Sequence, residues 1–555
     1  MPELTLPEVL RRAATKYPDL GIGYVKEDGS IEHQTYAELL DLSLKIANGM
    51  LALGLKPGDK AILATDDNHK TINLLWGCFL AGIVPTILQS PGTYSDHNPV
   101  SAKFLNVFKQ LENPYIFVNT LIKEADPVFA HRIVHYDGIP QQEGSLNFVP
   151  GFEDLAFIQF SSGSTGDPKG IMLSHRNLAR NIEAIIIGLD LTPSDHAGNW
   201  MPLYHDMGLI GYHLTPLYAP CQQSHIHTID FIKNPSLWLD LMSSSKITVT
   251  GCPNFGQALV LRHLKRKSDE QGWNFSSMKA LLNGAEPISI KIMDDFTEAM
   301  MKYNFRKEAM MPVYGMAEAT LAISFTPLMK PTVVTAFEAE ELDFKQRAVK
   351  FSETTHGGAS RMLSAVGLAL KYFEIRIVDD SDLEIPDGKV GHIQLRGSSL
   401  TQGYYNNPAE TQNTFCGEWL RTGDIGFFFE NNLYISGRFK DIIFFNGKNY
   451  FANDLEYLAC TLEDITYGKV IFGGISDAKT GKEKVLVFLA GATEANSLES
   501  FQKLRTLMRK MLGIHIDEMV IIKSNEIPKT TSGKVQRYKL IQHYLHGEFA
   551  HKIYK

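Results

Sequence analysis

Leu155-Ala156-Phe157-Ile158-Gln159-Phe160 runs directly into Ser161-Ser162-Gly163-Ser164-Thr165-Gly166-Asp167-Pro168-Lys169-Gly170. The short apolar run predicts a buried strand, and the Ser/Thr/Gly/Pro stretch predicts a turn-rich loop. Ser174 is a candidate N-cap for a helix carrying Leu178, Ile182, Ile185 and Ile186. The unit therefore reads as strand, loop, helix. Such a loop offers backbone N–H groups and hydroxyls to phosphate oxygens, and Lys169 adds a cation. It is not the P-loop of kinases and GTPases. That motif needs four residues between its first Gly and Gly-Lys-Ser/Thr, whereas Lys169 follows Pro168 and precedes Gly170. An arbitrary Gly/Ser loop is more often a plain exposed turn, but this run is long and specific.

The same alternation extends to both sides. Thr35-Tyr36-Ala37-Glu38 reads as a capping box. The helix behind it repeats Leu39, Leu42, Ile46 and Leu53 and stops near Gly54. Ala61-Ile62-Leu63-Ala64 predicts a strand. A helix through Leu74, Leu75 and Phe79 ends around Gly82, before Ile83-Val84-Pro85. Alternation of this kind, continuing to about Phe325, points to parallel sheets covered by helices.

From about Pro331 to Leu363 the character changes. Glu338, Glu340, Glu341, Asp343, Lys345, Arg347 and Lys350 precede Gly357-Gly358, so an inserted or partly mobile segment is expected. Tyr372 to about Phe429 is strand-rich. Beyond Arg438-Phe439-Lys440-Asp441, runs such as Val470-Ile471-Phe472 and Val485-Leu486-Val487-Phe488 predict a compact tail. The expected fold class is α/β. A large N-terminal region (1–439) has helix-covered parallel sheets and a small β-barrel-like part, and a small α+β C-terminal domain spans 440–555.

Composition narrows the function classes. The 555 residues are 44% hydrophobic and 21% charged, enough for several cores. A net charge of −8 argues against gripping a nucleic-acid backbone. Five dispersed cysteines (Cys78, Cys221, Cys252, Cys416, Cys460) form no CxxC pair, so neither a disulfide framework nor a zinc site is expected. The N-terminus lacks an apolar h-region, and runs such as Ala184 to Leu189 are too short to span a bilayer. A cytoplasmic protein without a membrane span is expected.

Further motifs follow the loop in order. They are Asn199-Trp200-Met201-Pro202 with His205-Asp206-Met207-Gly208-Leu209-Ile210-Gly211, Asn283-Gly284-Ala285-Glu286-Pro287-Ile288, and Tyr314-Gly315-Met316-Ala317-Glu318-Ala319-Thr320. Arg421-Thr422-Gly423-Asp424, Gly437-Arg438-Phe439-Lys440-Asp441 and Pro528-Lys529-Thr530-Thr531-Ser532-Gly533-Lys534 complete the set. In this order, and over nearly the whole chain, the sequence resembles the ANL superfamily of adenylate-forming enzymes.

That resemblance implies ATP and Mg²⁺ as cofactors and a carboxylate as substrate. It assigns ATP or AMP binding to Ser162, Gly163, Ser164, Thr165, Gly166, Lys169, Gly284, Ala285, Glu286, Tyr314, Gly315, Met316, Ala317, Asp424 and Arg438. Lys534, Thr165 and Glu318 are the implied catalytic residues, Lys534 reaching the α-phosphate and the attacking carboxylate. Glu318 suits Mg²⁺ as a hard oxygen ligand, Asp424 the ribose hydroxyls, Arg438 phosphate or ribose, and Tyr314 the adenine face. Each has a plainer alternative: a surface lysine, a helix-start carboxylate, an Asx-turn, a structural ion pair, a core aromatic. His205 either gates the acyl site or is a hydrogen-bonded loop histidine. A His205–Asp206 metal pair lacks a third ligand at sensible spacing. Lys440 fits the position where the family pivots its C-terminal lid.

Within the superfamily the chain looks most like the fatty acyl-AMP ligases. Tyr314 and Gly367 stand 53 positions apart, more than in CoA ligases, and the surplus falls at about 335–362. In acyl-AMP ligases such an insertion hampers the CoA-forming conformation. A tolerated surface loop is the plainer reading. The resemblance implies a fatty acid substrate and, as acceptor, the phosphopantetheine arm of an acyl carrier protein. Met207, Leu209, Phe255 and His205 are candidate acyl-site residues. An acyl-CoA synthetase is the nearest rival. A non-catalytic adenylate-binding protein and an amino-acid-activating domain are the others.

Overall fold

A computed structural model describes residues 3–554, apart from 92–98, 121–129, 147, 162–167, 267–271, 339–341, 343–345, 352–359, 446–447, 477–482, 492–493 and 530–533. Among the described residues the largest sheet has nine strands. Its centre is parallel: Gly21–Val25, Gln222–Ile226, His196–Asn199, Val249–Gly251, Ala280–Asn283 and Met310–Gly315 lie side by side in that order. Antiparallel strands close the edges, Ile31–Thr35 on one side and Ala322–Phe325 with Leu368–Ala369 on the other. Ala280–Asn283 is buried throughout, as expected of a strand covered on both faces.

A second, wholly parallel sheet orders Val84–Ile87, Lys60–Ala64, Tyr115–Val118 and Ile133–His135. Its first crossover is the helix Asn68–Ala81, buried on nearly every side. Asp67 caps that helix by accepting from the Lys70 N–H, and Gly82 ends it in the left-handed region at φ +71°. The helix Tyr36–Ala52 begins with the Thr35/Glu38 capping box, whose two side chains and two backbone N–H groups bond reciprocally.

The segment around residue 160 differs from expectation. Leu155–Ser161 does not pass through a loop into a helix. It pairs antiparallel with a second strand, Lys169–Ser174, and only then does Ser174 cap the helix His175–Gly188. The two strands on either side of the loop are thus antiparallel partners. Ile171 and Leu173, fully buried, supply the apolar alternation that makes this strand.

Phe373–Val378, Gly391–Gly397, Trp419–Phe429, Asn432–Arg438 and Phe415–Cys416 form an antiparallel sheet. In the insertion, Val334–Glu338 pairs antiparallel with Ser360–Ser364. Its Phe337 is fully buried and meets Phe427 and Tyr434 edge-on at 5.1 and 5.2 Å. Gly357 and Gly358 lie outside the described residues. At the C-terminal end, Val470–Ser476, Glu483–Ala490, Glu518–Ile522 and Ile553–Tyr554 form a four-stranded sheet with hydrophobic cores of its own. Among the described residues no helix is long and apolar enough to cross a membrane.

Candidate active site

Four neighbouring strands of the nine-stranded sheet end beside one cleft. His196–Asn199 leads into the His205 segment, Val249–Gly251 into Phe255, Ala280–Asn283 into Ala285 and Glu286, and Met310–Gly315 into Met316–Glu318. Open parallel sheets bind ligands in the crevice outside their strands' carboxyl ends. The cleft encloses about 2370 Å³ and is closed on its far side by residues of the C-terminal sheet and its helices.

Asp424 and Arg438 are direct cross-strand partners in the antiparallel sheet. Arg438 Nε lies 3.1 Å from Asp424 Oδ1, and the Tyr314 hydroxyl donates to Oδ2 at 2.6 Å. The Thr422 hydroxyl oxygen accepts from the Asp424 N–H at 3.0 Å. Asp424 holds the guanidinium charged, well above its ordinary value. Burial, then Asp424, push the Tyr314 phenol up. Each carboxylate oxygen offers two lone pairs, so Asp424 keeps acceptor capacity for a ligand.

Glu318 sits in a one-turn 3₁₀ helix, Ala317–Ala319. It is followed by Thr320 at φ +71°, ψ −60°, a strained γ-turn rare for a β-branched residue. The Thr320 hydroxyl donates to Ser399 O at 2.7 Å, which holds the turn. Glu318 Oε1 accepts from the Tyr404 hydroxyl at 3.0 Å. Lys169 pairs with Glu410, and its ammonium lies 5.4 Å from the centroid of the Tyr404 ring.

Lys534 enters the same cleft from the C-terminal side. Enclosure lowers its ammonium pKa. Asp206 opposes that shift, Arg438 adds to it, and Glu286 and Asp424 oppose it. Burial pushes Glu286 up against its hydrogen bonds. Glu286 Oε1 accepts from the Phe255 N–H at 2.8 Å and Oε2 from the Tyr467 hydroxyl at 3.2 Å. The Tyr457 hydroxyl donates to Pro287 O at 2.6 Å. His205 Nδ1 and Asp206 Oδ1 are 2.7 Å apart. Burial would raise Asp206, but His205 and Lys534 outweigh it and hold the carboxyl low.

The expected residues Lys169, Ala285, Glu286, Tyr314, Gly315, Met316, Ala317, Glu318, Asp424, Arg438 and Lys534 all line this one cleft. So do His205, Met207 and Phe255, together with the largely apolar side chains of Ile185, Tyr212 and Leu259. Two expectations shift. Leu209 does not line the cleft: only 1% exposed, it belongs to the core beneath, because a residue two positions after Met207 on a helix faces the opposite side. Gly284 is a packing glycine, since a Cβ there would come within 2.8 Å of the Val313 carbonyl oxygen. Ser162, Gly163, Ser164, Thr165 and Gly166 lie outside the described residues. Lys440 is exposed in the 3₁₀ turn Phe439–Asp441. Sequence reasoning missed Tyr404, Glu410, Tyr457 and Tyr467. Only Glu410 carried a signal, as the third residue of a helix capped by Asn407.

The family model for AMP-binding enzymes matches residues 10–405. A Caulobacter vibrioides protein with a provisional acyl-CoA synthetase name is 30% identical over 553 residues, covering 98% of this chain and 96% of that protein. Among solved structures, fatty acyl-adenylate ligases from E. coli and L. pneumophila are represented at TM-score 0.89 and 28% identity, with 99% of each chain covered. McyG A-PCP complexed with phenylalanyl-adenylate superposes at TM-score 0.86 and 29% identity, covering 98% of this chain and 84% of that one. The chain belongs to the AMP-binding enzyme family, the ANL superfamily of adenylate-forming ligases. Within it, the chain is similar to the fatty acyl-adenylate ligases over its whole length.

Proposed function

We propose that the protein joins a fatty acid to the AMP part of ATP, releasing pyrophosphate, and then passes the acyl group to the phosphopantetheine thiol of an acyl carrier protein, releasing AMP. The observation that carries the first step is the meeting of Lys534 with Asp424, Arg438 and Glu318 in a single cleft that is also lined by apolar side chains. A carboxylate is already ionised at neutral pH, so no general base is required. One of its oxygens bonds to the α-phosphorus of ATP as the bond to the bridging oxygen of pyrophosphate breaks. Lys534 and Arg438 supply positive charge where negative charge accumulates. Asp424 accepts from ribose hydroxyls, and the apolar lining around Met207 and Phe255 takes the alkyl chain.

Magnesium fits this site in its usual manner, with few protein carboxylates and the rest substrate phosphate and water. Glu318 Oε2 has no hydrogen-bond partner among the described residues, and none of them form a three-ligand cage. Glu318 would hold the ion, which when bound neutralises phosphate charge.

The acceptor rests on two supports. McyG A-PCP pairs a related adenylation fold with a carrier domain. The insertion is also tied to the C-terminal side. Arg361 Nε lies 2.8 Å from Asp454 Oδ2, its guanidinium lies 4.7 Å from the Phe451 ring centroid, and Nη2 donates to Ser436 O at 2.5 Å. That clamp favours retention of the adenylate-forming arrangement and transfer to a carrier rather than CoA. The Caulobacter relative's name favours the rival, an acyl-CoA synthetase. Incubation with ATP, Mg²⁺ and labelled medium- and long-chain fatty acids, with and without CoA and a phosphopantetheinylated carrier protein, separates them. Acyl-AMP and acyl-carrier without acyl-CoA is the expected result. Rapid acyl-CoA formation would overturn the acceptor assignment, and absence of any adenylate the whole reading.

A further inference from the structure

We infer that Tyr404 is a positioning residue that holds the Glu318 carboxylate and the Lys169 ammonium as one unit across the cleft, and so couples the metal-bearing and phosphate-binding groups. The inference rests on the adenylate-forming reading above.

One side chain serves both groups through different parts. The Tyr404 hydroxyl donates to Glu318 Oε1 at 3.0 Å, while its ring face lies 5.4 Å from Lys169 Nζ. The second distance is within the reach of a cation–π contact. Glu410 engages the same ammonium, so Lys169 is held between a carboxylate and an aromatic face. All four residues line the cleft.

Tyr404 is itself firmly placed. It is 5% exposed, and its N–H donates to the Thr411 hydroxyl oxygen at 2.9 Å, on the helix that carries Glu410. On either side, Met172 N–H donates to Gly403 O at 3.0 Å and Tyr405 N–H to Gly170 O at 2.7 Å. Both bonds stitch this segment to the strand that begins with Lys169. Glu318 is placed less completely. Its backbone carbonyl accepts from Thr401 N–H at 2.8 Å, but the Tyr404 hydroxyl is the one side-chain bond to its carboxylate among the described residues. Without it the carboxylate regains its staggered rotamers, and a ligand must order it again.

A purely space-filling role predicts something else: phenylalanine would serve as well as tyrosine. Tyr404→Phe removes the hydroxyl and keeps the ring. Tyr404→Leu removes both. Binding of Mn²⁺ to the full-length protein with ATP is followed by electron paramagnetic resonance, and binding of metal-free inorganic pyrophosphate by calorimetry. Tyr404→Phe should weaken Mn²⁺ binding roughly tenfold, the loss expected for a hydrogen bond to a charged group, and leave pyrophosphate affinity unchanged. Tyr404→Leu should weaken both. If the leucine variant does not fold, the phenylalanine variant decides alone. Equal Mn²⁺ affinity in wild type and Tyr404→Phe would overturn this inference and leave the function standing. A wild-type protein that binds no Mn²⁺ with ATP would overturn both.

Discussion

The nine-stranded sheet and the C-terminal four-stranded sheet supply the two walls of the cleft by different means. On the large side, residues are placed by where parallel strands end. Glu318, Glu286, Phe255 and His205 follow four adjacent strands, and the register of the ladder fixes their spacing. On the small side, Lys534 immediately precedes Val535, whose backbone bridges to Lys529. Three residues further on is Arg537, 8% exposed. Nη1 lies 3.0 Å from Asp441 Oδ1, and Nη2 lies 2.8 Å from Glu456 Oε1 and donates to Asn453 Oδ1 at 3.0 Å. One guanidinium therefore joins the segment after Lys534, the helix Ala452–Ala459 and the residue after Lys440. The large wall is placed by several strand ends, whereas on the small side one ion-pair cluster links the segment after Lys534 to the neighbouring elements.

The sharpest way to break this comparison is Lys534→Ala. It leaves the large wall whole and removes the cation facing it. ATP–pyrophosphate exchange should fall about 100- to 1000-fold, as when one preorganised charge-stabilising group is lost. Melting should not change, because Lys534 faces the cleft rather than a core. Exchange that survived nearly intact would mean the large wall suffices alone.

Arg537→Ala tests the ion-pair cluster itself. Removing one partner of a buried pair strands the other, at about 3–5 kcal/mol. Burial disfavours charge on Arg537, but Glu456 and Asp441 outweigh it and hold the guanidinium charged. Hydrogen exchange should quicken in Val470–Ser476 and Glu518–Ile522 while Ala280–Asn283 stays protected. Uniform loss of protection across both sheets would refute the contrast.

Much of the large wall could be read from sequence because its signals are local. The Thr35/Glu38 box, the Gly82 stop and the Ser174 cap each depend on residues within a turn of one another. The motif residues Tyr314, Glu318, Asp424 and Lys534 were legible as a set. Their meeting was not. Tyr314 on Asp424 spans 110 positions and Lys169 on Glu410 spans 241, and no periodicity encodes such contacts. The strand Lys169–Ser174 was missed because its short apolar run abuts the helix cap and reads as the helix's approach. Leu209 was misplaced because the motif groups it with Met207, whereas residues two apart on a helix face opposite sides.

Acid should act on the two walls unequally. Burial holds His175 and His213, on the large side, down to about 4. Their unfolded value is near 6.5, so between 6.5 and 4 the unfolded chain binds more protons. Stability from these residues is complete above pH 6.5 and is lost as pH falls toward 4, about 2 kcal/mol each by pH 5. On the small side burial instead raises Asp454 and Glu456, and that sign favours the folded form as pH falls. Hydrogen exchange at pH 7 and pH 5 should therefore show the nine-stranded sheet loosening more than the C-terminal one. The reverse order would assign the dominant buried charges to the wrong wall.

The smallest effect is the most direct test of the large side. Ser174 is 2% exposed, and its hydroxyl accepts from the Asn177 N–H at 3.2 Å while Asn177 Oδ1 accepts back from the Ser174 N–H at 3.0 Å. Asn177 Nδ2 also donates to Leu400 O at 2.8 Å, so the cap is linked to the segment that leads to Tyr404. Ser174→Ala deletes the hydroxyl but not the Asn177 bridge, and should cost about 1 kcal/mol, as N-cap losses do. Because Lys169 is held independently by Glu410 and the Tyr404 ring, pyrophosphate exchange should stay within about twofold of wild type, a barrier change below the 1.36 kcal/mol that a tenfold effect requires. A drop in exchange as large as that from Lys534→Ala would show that the large wall hangs on a single residue.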